Sequence, residues 1–237
     1  IKYYYKFYNK KQNERESLLI DEFLKYAKLF RKEFYLEEGD ILIHNNKTTL
    51  HDRTECSLEL NIDGTGQYEN NTGVGFLDHM LDLFARHGRF DLKVVCDGDT
   101  HIDYHHSVED IGIAIGKCFS DALGEMRGIN RYGNFYMPMD EALTLVAIDI
   151  SGRPLLSFDA MMPTEKVGDF DTELVQEFFL GLTRNLKATV HIKNIDGENT
   201  HHIIESIFKG FGRALKEAVA INNEYINEIP STKGVLV

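Results

Sequence analysis

Two short stretches of this chain hold side chains whose types and spacing suit metal chemistry. His105-His106 is followed by Glu109 in HHSVE, and His201-His202 is followed by Glu205 in HHIIE. On a helix the first histidine and the glutamate are four apart and share a face. The second histidine is turned by about 100° from its neighbour, because a helix has about 3.6 residues per turn. Each helix start therefore offers a His/Glu pair in one direction and a lone imidazole in another. Two such starts packed side by side would build two mixed metal sites, each taking His and Glu from one copy and a single His from the other. Imidazole-rich sites with one carboxylate suit Mn, Fe, Ni, Cu or Zn and argue against Ca or Mg. Carboxylates at Asp99, Asp103 and Asp110, and Asp78 beside His79, are placed to accept the remaining ring N–H of a bound imidazole. The plainer reading, histidines that only cap helix starts and bond to carboxylates, is weakened by the duplication.

A pair of metals could hold a water for hydrolysis or bind a substrate that is itself a nitrogen ligand. A grip for phosphate is also present: Arg131 after Gly128-Ile129-Asn130, Arg153 after Gly152, and Ser231-Thr232-Lys233 before Gly234. Arginine forks match phosphate oxygens bidentately, and Ser, Thr and Lys add donors. Taken singly, each of these cations is an ordinary solvated charge.

The elements that must position these groups repeat. Alternation over Cys56, Leu58, Leu60 and Ile62 predicts a strand with one wet face, followed by an Asp63–Gly66 turn and a short extended piece. A helix is expected over Phe76–His87, a strand over Phe90–Cys96 and a long helix over Ser107–Leu123. Strands Ala142–Asp149 and Leu155–Asp159, a helix Thr172–Asn185, a strand Ala188–Ile195 and a helix Ile203–Val219 then restate the order. Gly116-Lys117 and Gly212-Arg213 stand seven residues after Glu109 and Glu205. The chain is read as a duplicated α+β unit, each sheet covered by its own helices. The first repeat is placed at 44–127 and the second, with a C-terminal substrate-binding tail, at 128–237. Residues 1–43 look like an extension: an aromatic and basic start, then an amphipathic helix between Glu14 and Phe34 with Leu19, Phe23, Ala27, Phe30 and Phe34 on one face.

A net charge of −12 argues against a nucleic-acid partner, and no apolar run is long enough to span a membrane. Three cysteines without C-x-x-C spacing are expected to be reduced thiols in a cytoplasmic chain. The chain opens on Ile1 and not Met, as a truncated, processed or incompletely described sequence would.

The runs TGVGFLDHMLDLFARHGRFDL, GDTHIDYHHSVEDIGIAIG, GINRYGNFYMPMDEAL, SGRP, THHIIESIFKGFGRAL and PSTKGVL resemble the imidazoleglycerol-phosphate dehydratase family of histidine biosynthesis, over about residues 46–237. The resemblance implies ribosomal-protein-S5-domain-2-like halves, each a four-stranded sheet with two helices. It also implies a 24-subunit homo-oligomer whose active sites are shared between subunits, and two Mn(II) per site. One ion would be held by His79, His106, His201 and Glu205, the other by His105, Glu109, His202 and Glu177, where plant-type members have a histidine in place of Glu177. Arg131, Arg153, Ser231, Thr232 and Lys233 match substrate-binding positions, and Glu55 and His79 the catalytic ones.

The implied reaction removes water from D-erythro-imidazole-glycerol phosphate to give imidazole-acetol phosphate. An imidazole bridging two cations loses its ring proton readily and pushes electrons down the side chain. A base takes the C2 proton, the C3 hydroxyl leaves, and the enol becomes a ketone. The base position departs from the family pattern. A gapless match puts Arg53 on the family's glutamate, whereas a two-residue shift restores Glu55 and keeps the same strand face. Glu55 is preferred because an arginine cannot accept the proton. A metal-binding homologue that has lost catalysis and a di-metal phosphohydrolase are the competing functions.

Overall fold

The computed structural model describes residues 3–6 and 55–236. Helix Glu14–Phe34 and Arg53 lie outside them. The first sheet takes strands β1 (Tyr3–Lys6), β2 (Glu55–Asn61), β3 (Tyr68–Asn71) and β4 (Asp91–Asp97), in the order β1-β2-β4-β3. The second takes β5 (Tyr132–Met139), β6 (Ala142–Asp149), β7 (Leu155–Asp159) and β10 (Thr189–Asp196), in the order β5-β6-β10-β7. The two orders are the same when the strands of each half are superposed, and in both the last two neighbours run parallel. Helices α1 (Gly75–Gly88), α2 (His105–Leu123), α3 (Leu174–Leu186) and α4 (Thr200–Val219) complete the duplicated α+β fold.

Four strands were not expected from the pattern. β1 comes from the stretch read as an extension and pairs antiparallel with β2, Tyr3 opposite Leu60. It gives hydrogen-bond partners to an edge that would otherwise be open. β5 contains Gly133 and Pro138, which argue against a central strand. It lies at the sheet edge, where a proline is tolerated. A small hairpin of β8 (Lys166–Val167) and β9 (Phe170–Asp171) is inserted in the second half alone.

The helices lie between the two sheets, and their extensive contacts cross from one half to the other: α1 with α4, and α2 with α3. Glycines make this possible. A Cβ on Gly112 or Gly116 would stand 2.4 or 2.3 Å from the carbonyl oxygen of Phe178 or Leu182 in α3. One on Gly212 would stand 2.7 Å from the Phe84 carbonyl in α1. The repeated glycine after each glutamate is thus a helix-crossing point. Phenylalanines fill the helical layer, with Phe84 against Phe211 at 5.9 Å across the halves and Phe179 against Phe208 at 5.0 Å within the second. Both halves share one apolar core.

Strand register also overturns the reading of the cysteines. Cys56 and Cys96 face each other across β2 and β4, Cα atoms 4.1 Å apart, and form a disulfide. Their spacing of 40 residues gives no hint of this, because only sheet pairing brings them opposite. Cys118 is a free thiol whose pKa is pushed up by burial.

Asp91 fixes the turn between β2 and β3. Its Oδ1 accepts from the backbone N–H groups of Thr65, Gly66 and Gln67 at 2.8, 3.1 and 3.0 Å. Partial burial opposes its charge, but these bonds and one from Asn61 outweigh that and hold the carboxyl below the usual range. The contribution is therefore complete above the ordinary carboxylate value of about 4 and fades as acid protonates the folded-state carboxylate. Asp91→Ala is expected to lose about 1–2 kcal/mol at neutral pH. Thermal unfolding at pH 7 and pH 3 checks this, the gap to wild type narrowing at the lower pH.

Candidate active site

The glutamate of the second HH-x-x-E copy is the centre of a tight group. Glu205 Oε1 lies 3.0 Å from His79 Nε2 and 3.1 Å from His201 Nε2. His79 comes from α1 and the other two from α4, so the α1–α4 contact assembles the group. The ligand-capable atoms of the three lie within 4.8 Å of one another, the only such group among the described residues. Glu205 is buried, His201 half-buried and His79 exposed, so the group opens to solvent on the His79 side. Lys209, one helical turn on, donates to Glu205 Oε2 at 2.5 Å. Burial works against the charge on Glu205, but Lys209, His79 and His201 together hold its pKa down to about 2. Two imidazoles and an always-ionised carboxylate form a donor set suited to a borderline divalent ion.

Local packing fixes these rings. The helix starts are capped by other side chains: Asn199 Oδ1 accepts from the N–H of His201, and Asp103 Oδ1 from that of His105. Phe76 stands edge-on to His201 at 5.2 Å and is backed by Phe170 of the β8–β9 hairpin at 5.1 Å. That hairpin also ties Tyr104, through Asp169, and Thr200, through Thr164, the residues immediately before the two histidine pairs.

The second histidines point elsewhere. His202 Nδ1 is 2.7 Å from Glu141 Oε2, and His106 Nδ1 is 3.9 Å from Asp99 Oδ1. His105, His106 and Glu109 are on α2 and Glu177 is on α3, packed so that a Cβ on Gly181 would be 2.9 Å from the Glu109 carbonyl. The two HH-bearing helices do not pack side by side as the pattern suggested; each takes the shorter helix of the other half as its partner. Within one chain His106 therefore does not join His79, His201 and Glu205.

Arg131, Arg153, Ser231, Thr232 and Lys233 line one groove of about 740 Å³, with Tyr132 and Glu228. Arg131 is anchored there. Its Nε and Nη2 donate to Asp149 at 2.7 and 3.1 Å, and Nη1 donates to the Pro230 carbonyl at 2.8 Å. Arg153 and Lys233 are exposed. Glu55 opens β2 opposite Asp97. Glu141 and Lys209 were missed by the sequence reading. For Lys209 a signal existed, since it follows Glu205 by four residues on the same helical face. For Glu141 none did, because it reaches the helix start from a distant hairpin.

A sequence model of the family described as imidazoleglycerol-phosphate dehydratase matches residues 72–215. The imidazoleglycerol-phosphate dehydratase of Clostridioides difficile is 57% identical over 183 residues, 77% of this chain and 94% of that one. Its counterpart from Azorhizobium caulinodans is 55% identical over 183 residues, 77% of this chain and 93% of the relative. Among solved structures, the enzyme from Staphylococcus aureus superposes with a TM-score of 0.66 at 47% identity, covering 70% of this chain and 94% of its own. The Pyrococcus furiosus enzyme, in complex with (S)-C348, gives 0.68 at 39% identity, covering 78% and 98%. No helix among the described residues is long and apolar enough to cross a membrane. With a family match across both histidine pairs and a shared two-sheet fold, this chain belongs to the imidazoleglycerol-phosphate dehydratase family, the hydro-lyases of histidine biosynthesis.

Proposed function

We propose that the chain dehydrates D-erythro-imidazole-glycerol phosphate to imidazole-acetol phosphate with two Mn(II) per active site, working in the cytoplasm as a 24-subunit assembly. The single observation that carries this is the convergence of His79 and His201 on one carboxylate oxygen of Glu205. One ion is assigned to His79, His106, His201 and Glu205, the other to His105, Glu109, His202 and Glu177. Because α2 packs on α3 and not on α4, His106 is assigned to this ion from a neighbouring subunit, in keeping with sites shared between subunits. The repeats at 44–127 and 128–237 then contribute one half-site each, with residues 1–43 outside the chemistry.

Bound manganese supplies positive charge that stabilises the negative charge developing on the substrate's imidazole ring. The remaining work falls to the protein. Arg153, Lys233, Ser231 and Thr232 hold the phosphate, and Arg131 holds the groove in shape through Asp149 and Pro230. Glu55 takes the C2 proton, the C3 hydroxyl leaves as water, and the enol becomes the ketone. The departure at Arg53 keeps a second reading in view, a metal-binding homologue without turnover.

Metal content per chain together with a dehydration assay tests the proposal. Two Mn per chain and a ketone product are expected, whereas release of inorganic phosphate would turn the reading toward a phosphohydrolase. Glu55→Gln should keep its metal and lose turnover; an unimpaired rate gives the base role to another group. Lys233→Ala should raise KM for the phosphate substrate about 10–100-fold, the worth of one charge-assisted hydrogen bond, with little change in melting temperature. Steady-state kinetics with thermal unfolding checks it.

A further inference from the structure

We propose that Glu141 is a positioning residue that fixes the tautomer of His202, leaving Nε2 as the nitrogen that ligates the metal. This deepens the proposed function and rests on His202 being a ligand. Asp140 and Glu141 form the two-residue turn between β5 and β6, since Met139 pairs with Ala142. Asp140 adopts a left-handed conformation, φ 49°, so the turn is a specific shape and not a slack loop. The Glu141 carboxylate is then fixed at both ends. Oε1 accepts from the backbone N–H of Asn199 at 2.8 Å and of Glu198 at 3.3 Å, while Oε2 lies 2.7 Å from His202 Nδ1.

The chemistry follows from the donor inventory. An ionised carboxylate only accepts, so the Nδ1 at 2.7 Å must carry the proton. In a neutral imidazole the other nitrogen is then unprotonated and bears the lone pair a divalent ion needs. Asn199 is also the residue whose side chain caps α4, accepting from His201 and His202 N–H groups. One carboxylate thus holds both the start of the helix and the ring it carries. Asp140 Oδ2, 3.8 Å from Nε2, lies on the metal-facing side of the same ring. The corresponding second histidine, His106, has Asp99 3.9 Å from its Nδ1, and Asp99 comes from its own loop just before α2, not from a hairpin.

The test compares Glu141→Ala, Glu141→Gln and His202→Ala in the assembled protein, using manganese competed with a chelator and ring-nitrogen NMR of the metal-free chain. Glu141→Ala is expected to weaken manganese binding about 10–100-fold at one of the two ions and to shift His202 toward the Nε2–H tautomer. Glu141→Gln keeps one acceptor oxygen for the Asn199 and Glu198 N–H groups and turns its NH2, a donor, toward Nδ1, so it should hold the helix start yet shift His202 toward Nε2–H and weaken binding as Glu141→Ala does. If His202→Ala weakens binding but Glu141→Ala leaves affinity and tautomer unchanged, the positioning role is overturned. Unchanged affinity in His202→Ala would instead remove His202 from the ligand set, and the role of Glu141 with it. Should Glu141→Ala lose helicity, the tautomer of Glu141→Gln decides: a shift to Nε2–H upholds the proposal, and wild-type Nδ1–H refutes it.

Discussion

Glu205→Gln should give a folded protein that no longer dehydrates its substrate and that binds manganese at the His79–His201 site at least 10²-fold more weakly. The change is isosteric, so packing around the buried side chain is kept. What is lost is the charge on the one oxygen that meets both imidazoles, 3.0 and 3.1 Å away. A loss of 10² corresponds to about 2.7 kcal/mol, and removing a direct ligand should exceed the 10–100-fold typical of losing a group behind one. Lys209 is only 13% exposed and donates to the same carboxylate, so its ammonium is left facing a neutral amide. Some fall in stability, on the order of 1–3 kcal/mol, is therefore expected as well. Elemental analysis per chain, the dehydration assay and thermal unfolding separate these effects. Full metal and a wild-type rate in this variant would show that the three-residue group is an ion-pair cluster and not a metal centre.

Gly116→Ala should be the most damaging single-methyl change in the helical layer. The new Cβ would sit 2.3 Å from the Leu182 carbonyl oxygen and 3.0 Å from the atoms behind it. Both partners are helix backbone, so neither can swing aside, and α2 and α3 must part. Overpacking of this kind costs about 2–3 kcal/mol, or roughly 4–12 °C in melting temperature for a chain of this size. Glu109 and Glu177 are carried by the two helices that separate, so metal binding at the site proposed for them should weaken in parallel. Gly75→Ala is the control. Nothing lies within 4 Å of that Cβ and the residue opens α1, so its melting temperature should be unchanged or slightly higher. Equal melting temperatures for the two variants would mean that the helix crossing is looser than the glycine contacts indicate.

Much of the fold was legible because it is written in local periodicity. β6 alternates buried and half-buried along its whole length and has the bounds expected from the sequence. The long helices were found with ends within a few residues of the observed ones. The misses have physical causes. β5 was hidden by a proline that is harmless only at an edge, and β1 by its distance in sequence from the strand it pairs with. The disulfide was missed because cysteine spacing does not contain sheet register.

By itself the sequence determined the residue types of the two His-His-x-x-Glu copies, their duplication and the helical faces they occupy, since those depend only on a few neighbouring backbone angles. It also held Arg131, Arg153 and Lys233, though not their meeting in one groove. Tertiary structure alone decided that α1 pairs with α4 and α2 with α3, so that His79 joins His201 and Glu205 while His106 does not. That choice depends on carbonyl groups of one half closing onto glycines of the other, a long-range fit that local spacing does not encode. For the same reason Glu141 reaches His202 across 61 residues, a contact made by the sheet and the helix together.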